Sequence, residues 1–296
     1  MNYKIVFAFT IVINCTFATN TFSRQSIQNQ QTTACKDEYA VSFNALNGKP
    51  PQVLYIKKGK LVGQPPKAVR KGFTFAGWLC TAKNELYNFK TPVDTSLNLV
   101  AKWTVKDICG NAYEVINIGS QIWMAEDLRT TKLNDGTKVP YITSDSVWAE
   151  LTTPACCWHS NKPQPPYGML YKWATVNTGK LAPKGWHVPT DADWVTLVSF
   201  VGGDSAGYKL KAPDSLKWLP NDSCAHNEFK FSALPGGFRY SDGRFMGLGY
   251  GSNWWSSTFA DSGRAFCRGL CSTRKVFDEG KKGNVVYGFS VRCIKD

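Results

Sequence analysis

The residues with which this chain could do chemistry are its ten cysteines and three histidines, His159, His187 and His226. Cys267-Arg268-Gly269-Leu270-Cys271 has a spacing that would allow thiol exchange or a thiolate nucleophile, both of which need a reachable sulfur of low pKa. On a strand or loop the same spacing serves structure. Cys156 and Cys157 are adjacent, and neighbouring cysteines normally bond to other partners. No Cys-x-x-Cys occurs and histidines are few, so zinc is not expected. Asp214, Asp222 and Asp242 are scattered, which speaks against calcium. His187, between Trp186 and Val188 and before Pro189, is expected to satisfy a loop carbonyl. Neither a Gly-x-Ser-x-Gly nucleophile nor a phosphate loop is expected, and Gly236-Gly237 after Pro235 reads as a turn. The chain is therefore not expected to be an enzyme, and no metal or cofactor is expected.

Recognition through aromatic rings remains. Trp254 and Trp255 stand in a Gly-rich stretch with Tyr240, Phe245 and Tyr250. Flat rings stack on the apolar faces of sugars, and Arg239 or Asn253 could fix hydroxyls. Side chains alternate along a strand, so one of the two tryptophans points into the core. Core packing is the ordinary reading of either ring; the functional one puts the other at the surface, in contact with a glycan or protein.

The elements that must carry these residues follow from pattern. The 296 residues suffice for two domains, with 14% aromatic and only 19% charged residues. Lys4 followed by the apolar run 5–13 and the small-residue end Thr16-Phe17-Ala18 predicts an export signal over 1–18. Asn14 is bulkier than the residue that usually precedes a lipidated cysteine, which favours cleavage over lipidation at Cys15. No run is long enough for a transmembrane helix. In an oxidising compartment, Cys109, Cys156, Cys157, Cys224, Cys267, Cys271 and Cys293 are candidates for structural disulfides, with connectivity open.

Residues 19–38 read as a flexible linker and 39–104 as a small β module. Its last strand alternates Leu97, Leu99, Ala101 and Trp103 with Asn98, Val100 and Lys102 and is placed, half-buried, at the module's edge. Ten Lys and Arg face only Glu85 and Asp94 in this module, +8 of the chain's formal +13. Solvated lysines are the ordinary explanation, anionic envelope polymer the functional one, and nucleic acid is not expected. Val41-Ser42-Phe43, Lys71-Gly72-Phe73-Thr74-Phe75-Ala76-Gly77-Trp78 and Leu97-Asn98-Leu99-Val100-Ala101-Lys102-Trp103-Thr104 resemble the Listeria–Bacteroides repeat, which implies a β-grasp-like unit of surface and secreted proteins.

From 105 to 296 the chain is Gly-punctuated and Trp-rich. The confident helix starts at Thr190, an N-cap with Asp193 positioned for a capping box, and carries Trp194, Leu197, Val198 and Val201 as one stripe. Gly202-Gly203 ends it. Gly110-Asn111, Trp123-Met124-Ala125-Glu126, Gly185-Trp186-His187-Val188-Pro189-Thr190-Asp191, Ala233-Leu234-Pro235-Gly236-Gly237, Trp254-Trp255-Ser256-Ser257-Thr258 and Gly288-Phe289-Ser290-Val291-Arg292-Cys293 resemble, in order, the Fibrobacter succinogenes major paralogous domain. Asp127 departs from the family's usual Asn, and Ala182 stands where many members carry cysteine. The Val188–Trp194 block is also similar to the formylglycine-generating enzyme group. That likeness implies an α+β architecture with a C-type-lectin-like second domain, mostly antiparallel with few helices.

The expected function is a secreted or cell-envelope adhesion module recognising cell-wall polysaccharide or a surface protein. Two alternatives stay open: an enzyme on the formylglycine-generating scaffold, and a basic protein attached to anionic wall polymer through residues 39–104. The oligomeric state is not legible.

Overall fold

Alternation builds the N-terminal strands of the computed structural model, which describes residues 37–213, 218–219, 225–273, 277 and 280–296. The export signal, Cys15, Cys35, Asp214, Asp222 and Cys224 lie outside the described residues. β1 (Glu38–Asn44) pairs antiparallel with β2 (Gln52–Lys57) across the Asn47-Gly48 turn. β3 (Thr74–Cys80) and the two-residue β4 (Glu85–Leu86) precede β5 (Leu97–Lys106). In β5 Leu99, Ala101, Trp103 and Val105 are buried and alternate with more exposed neighbours, as the pattern predicts. Its position differs from expectation. β5 is an interior strand, parallel to β1 on one side and antiparallel to β3 on the other. Its buried face and both of its hydrogen-bonding edges are used, which alternation alone cannot reveal.

At ten residues β5 outruns its partners, and Thr104 to Lys106 pair with the next strand, β6 (Ala112–Ile118). β7 (Gln121–Met124) completes the expected hairpin. Its turn needs Gly119: φ is 59°, and a Cβ there would stand 2.8 Å from the Phe200 ring. The remaining elements are α1 (Asp145–Glu150), β8 (Cys156–Cys157), β9 (Leu170–Lys172), α2 (Trp173–Val176), β10 (Trp186–His187), α3 (Asp191–Val201), α4 (Ala206–Leu210), β11 (Gly236–Arg239), β12 (Phe245–Leu248), β13 (Gly251–Asp261), β14 (Arg264–Cys271), β15 (Lys281–Asn284), β16 (Gly288–Phe289) and β17 (Ile294–Lys295). Among the described residues these strands form a nine-stranded sheet, running β10-β17-β7-β6-β5-β1-β2 with β3 beside β5 and β4 beside β3, and an eight-stranded sheet. The second runs β15-β14-β13-β11-β16-β9-β8, with β12 on β11. Because β5 joins β1 and β3 to β6, Glu38–Asp296 form one unit. The fold is mostly β with few helices.

α3 forms as its signals dictate. The Thr190 hydroxyl accepts the Asp193 N–H, the Asp193 carboxylate accepts the Thr190 N–H, and Gly202 closes the helix at φ 112°. Trp194, Leu197, Val198 and Val201 are buried against Trp123, Trp254 and Phe277. A second core gathers Tyr113, Met124, Tyr171, Trp186, Trp255 and Phe289. β13 contributes to both cores.

Candidate functional site

Both tryptophans of β13 are fully buried, which corrects the expectation that one reaches the surface. Alternation does send them to opposite faces, but each face is covered by its own core. Trp254 packs with Trp194 and Phe277, and its indole donates to Asp127 Oδ1 at 2.8 Å. Trp255 lies 4.3 Å from the Phe289 ring centroid and donates to the Tyr171 carbonyl at 2.7 Å.

The polar residues expected beside them are also framework. Arg239 is wholly buried between the rings of Trp148 and Phe245, and donates to the carbonyls of Gly243, Ile142 and Thr143 and to Asp145 at 2.6 Å. Tyr240 is half-buried against Phe238 and Tyr287. Asn253 is buried and accepts from Lys281 at 3.1 Å. These five residues do not form a surface together.

Two further buried arginines, each paired with an aspartate, are not legible in the sequence. Arg292 contacts Asp127 at 2.6 Å and donates to the Phe231 carbonyl; Arg268 on β14 stands 2.5 Å from Asp191 in the first turn of α3. The partners are far apart in sequence, so no local pattern announces them.

The candidate reactive groups are held by structure. Cys267 and Cys271 are four residues apart on β14, so their Cα atoms are separated by roughly 13 Å, beyond the ~7 Å reach of a disulfide. Cys156 and Cys157 face different cores, and burial pushes their thiols up to about 12 and about 11. Burial raises Cys293 further. No disulfide links Cys109, Cys156, Cys157, Cys271 and Cys293 to one another, a correction to the expected pairing; their side chains are packed or hydrogen-bonded apart. Cys109 is the exposed thiol of this set, and contacts with Thr130 and Thr131 outweigh burial to lower its pKa.

His187 bonds to carboxylates rather than a carbonyl: Nδ1 to Asp296 at 2.8 Å and Nε2 to Asp193 at 3.2 Å. His159 is buried against Phe245, and burial lowers its pKa. Gly203-Asp204-Ser205-Ala206-Gly207 does fit Gly-x-Ser-x-Gly, against expectation. It spans a turn between α3 and α4, not a strand-to-helix elbow, and the Ser205 hydroxyl donates to Gly202.

An aromatic pocket does open at the surface, four residues beyond Trp255. The pairing of β13 with β14 shifts register between Trp255 and Phe259, and such a bulge re-aims side chains. Phe259 is 53% exposed. Its ring leans on Trp173 at 5.3 Å, and Trp173 is fixed by its indole donating to the Ser256 carbonyl at 3.0 Å. Val285 and Val286 extend the apolar wall of a cavity of about 220 Å³, with Thr152 and Asn177 at its polar side. That volume is below the ~300–1,000 Å³ of drug-sized sites and suits one ring-sized group. Lys172 also lines it; its ammonium donates to the Val286 carbonyl at 3.3 Å, and burial, aided by Arg239, lowers its pKa to about 8.

Arg–Asp pairs and buried tryptophans hold together a mostly β framework with open sites at its surface. Residues 116–295 match the Fibrobacter succinogenes major domain, and the chain belongs to that family; residues 39–102 match the Listeria-Bacteroides repeat domain. The chain has no match among curated proteins. Among the described residues no helix is long and apolar enough to cross a membrane.

Proposed function

We propose that the protein is an exported, non-catalytic recognition module of the cell envelope, whose C-terminal domain holds one neutral sugar ring of a surface glycan in the Phe259–Trp173 pocket. The exposed Phe259 ring beside the fixed Trp173 carries this reading. It offers an apolar shelf of the kind a sugar's C–H face stacks on, while Thr152 and Asn177 supply hydroxyl-bonding groups at the pocket edge. An enzyme on the formylglycine-generating scaffold is less well supported, because Cys267 and Cys271 stand too far apart to act as a pair. The parallel pairing of β1 with β5 in an otherwise antiparallel neighbourhood favours a β-grasp-like first module. The capped α3 beside twisted antiparallel strands favours a C-type-lectin-like second domain. A glycan array read at low and high salt tests the function. Salt-insensitive capture of neutral glycans, lost in Phe259→Ala, is expected; equal capture by the variant overturns the pocket assignment.

A further inference from the structure

A second open site lies on the repeat module. The β1–β2 turn and the segment 66–71 face each other across a groove of about 460 Å³. Asn47 clips the walls together, donating from Nδ2 to the Val69 carbonyl at 3.1 Å, and its Oδ1 accepts the Lys49 N–H at 3.2 Å. Pro50 and Pro66 stiffen the two rims. Lys49, Lys67, Arg70 and Lys71 line the groove and no acidic residue does. Among the described residues none of these four cations pairs with a carboxylate. Arg70 is held in place, its guanidinium 4.1 Å from the Phe73 ring centroid.

The floor adds an independent observation. Phe43 and Trp78 meet edge to face at 5.0 Å, and the Trp78 indole N–H is buried with no acceptor. Four unneutralised cations over an aromatic floor ask for an extended ligand bearing oxygen anions.

We propose that this groove binds a linear polyanion of sugar or polyol units, its carboxylate or phosphate groups seated between Lys49, Lys67, Arg70 and Lys71. The site shares no residue with the Phe259 pocket, so it stands or falls without it. Positive charge confined between low-dielectric walls concentrates anions, and its hold weakens with salt.

The test uses the full chain and three immobilised probes: polygalacturonate, poly(glycerol phosphate) and neutral dextran. The two acidic arms separate carboxylate from phosphate recognition. Lys67→Glu/Lys71→Glu alters exposed positions in the groove; Lys83→Glu/Lys90→Glu makes the same change of net charge on exposed positions outside it. The expected result is salt-weakened binding to at least one acidic polymer, reduced about tenfold or more by the groove variant and less than about threefold by the control. Arg70→Gln, which keeps the side chain's length, is expected to weaken binding in the same direction. Equal losses in groove and control variants, a loss of dextran binding in the groove variant as large as that of the acidic polymers, or no acidic polymer bound would each overturn the proposal. Neutral-glycan capture at the Phe259 pocket is expected to be unchanged in the groove variant, so failure of one site is not read as failure of the other.

Discussion

Arg292 Nη2 lies 2.6 Å from Asp127 Oδ1, the oxygen to which the Trp254 indole also donates. The two residues are 165 positions apart and bring the Met124-Ala125-Glu126-Asp127 block, the Trp254 strand and the C-terminal Val291-Arg292-Cys293 block to one buried point. Removing one partner of a buried pair leaves the other charge uncompensated. Asp127→Ala is therefore expected to cost about 3–5 kcal/mol in denaturant unfolding. Asp127→Asn restores the residue usual in the family, keeps an acceptor for Trp254 and should cost less. A loss below about 1 kcal/mol for Asp127→Ala would show that the pair is not the clasp its geometry implies.

That clasp also marks the boundary of what sequence makes legible. Signals local to one element were readable: the capping box of Thr190 and Asp193, the stripe Trp194 to Val201, the alternation of β5, and the family blocks. What depends on a distant chain segment was not. Trp254 and Trp255 looked like a half-exposed strand because the second core that covers the other face is assembled from remote residues. β5 looked like an edge because its neighbours β1 and β3 are chosen by topology. Phe259 escaped because a bulge, invisible to period-two reasoning, turns it outward.

The corner at Thr190 has a pH signature. Burial would raise the Asp193 pKa, but hydrogen bonds from the Thr190 hydroxyl and N–H and from His187 hold it below 3.8. Its folded value is depressed, so the stability it contributes is present above about pH 4 and is lost as pH falls through the folded value. Asp193→Asn should flatten the acid limb of stability measured from pH 6 downward. An acid limb unchanged in the variant would contradict the assignment.

Lys172 shows linkage of the same sign in a higher pH window. Its folded pKa of about 8 lies below 10.5, so the unfolded chain holds more protons between these values and the residue's contribution to stability improves as pH rises through that window. Compared with wild type, Lys172→Met should lack this rise. The check is the difference between the two urea midpoints across the window; a constant difference would sink it.

Thiol reactivity follows burial. Iodoacetamide under native conditions should modify Cys109 first, while Cys156, Cys157 and Cys293 react only after denaturation. Peptide mass mapping without reductant reads this out. A disulfide joining any of these four to another would contradict the structure.

The most direct measurement of the central claim is calorimetric titration of wild type and Phe259→Ala with a neutral oligosaccharide captured on the array, at about 0.05 and about 0.5 M salt. Wild-type affinity is expected to change little with salt and to fall about tenfold or more in Phe259→Ala, with stability lowered by no more than about 1–2 kcal/mol because the ring is only half buried. Equal affinity of the two proteins, or wild-type binding that vanishes at the higher salt, would contradict recognition at this pocket.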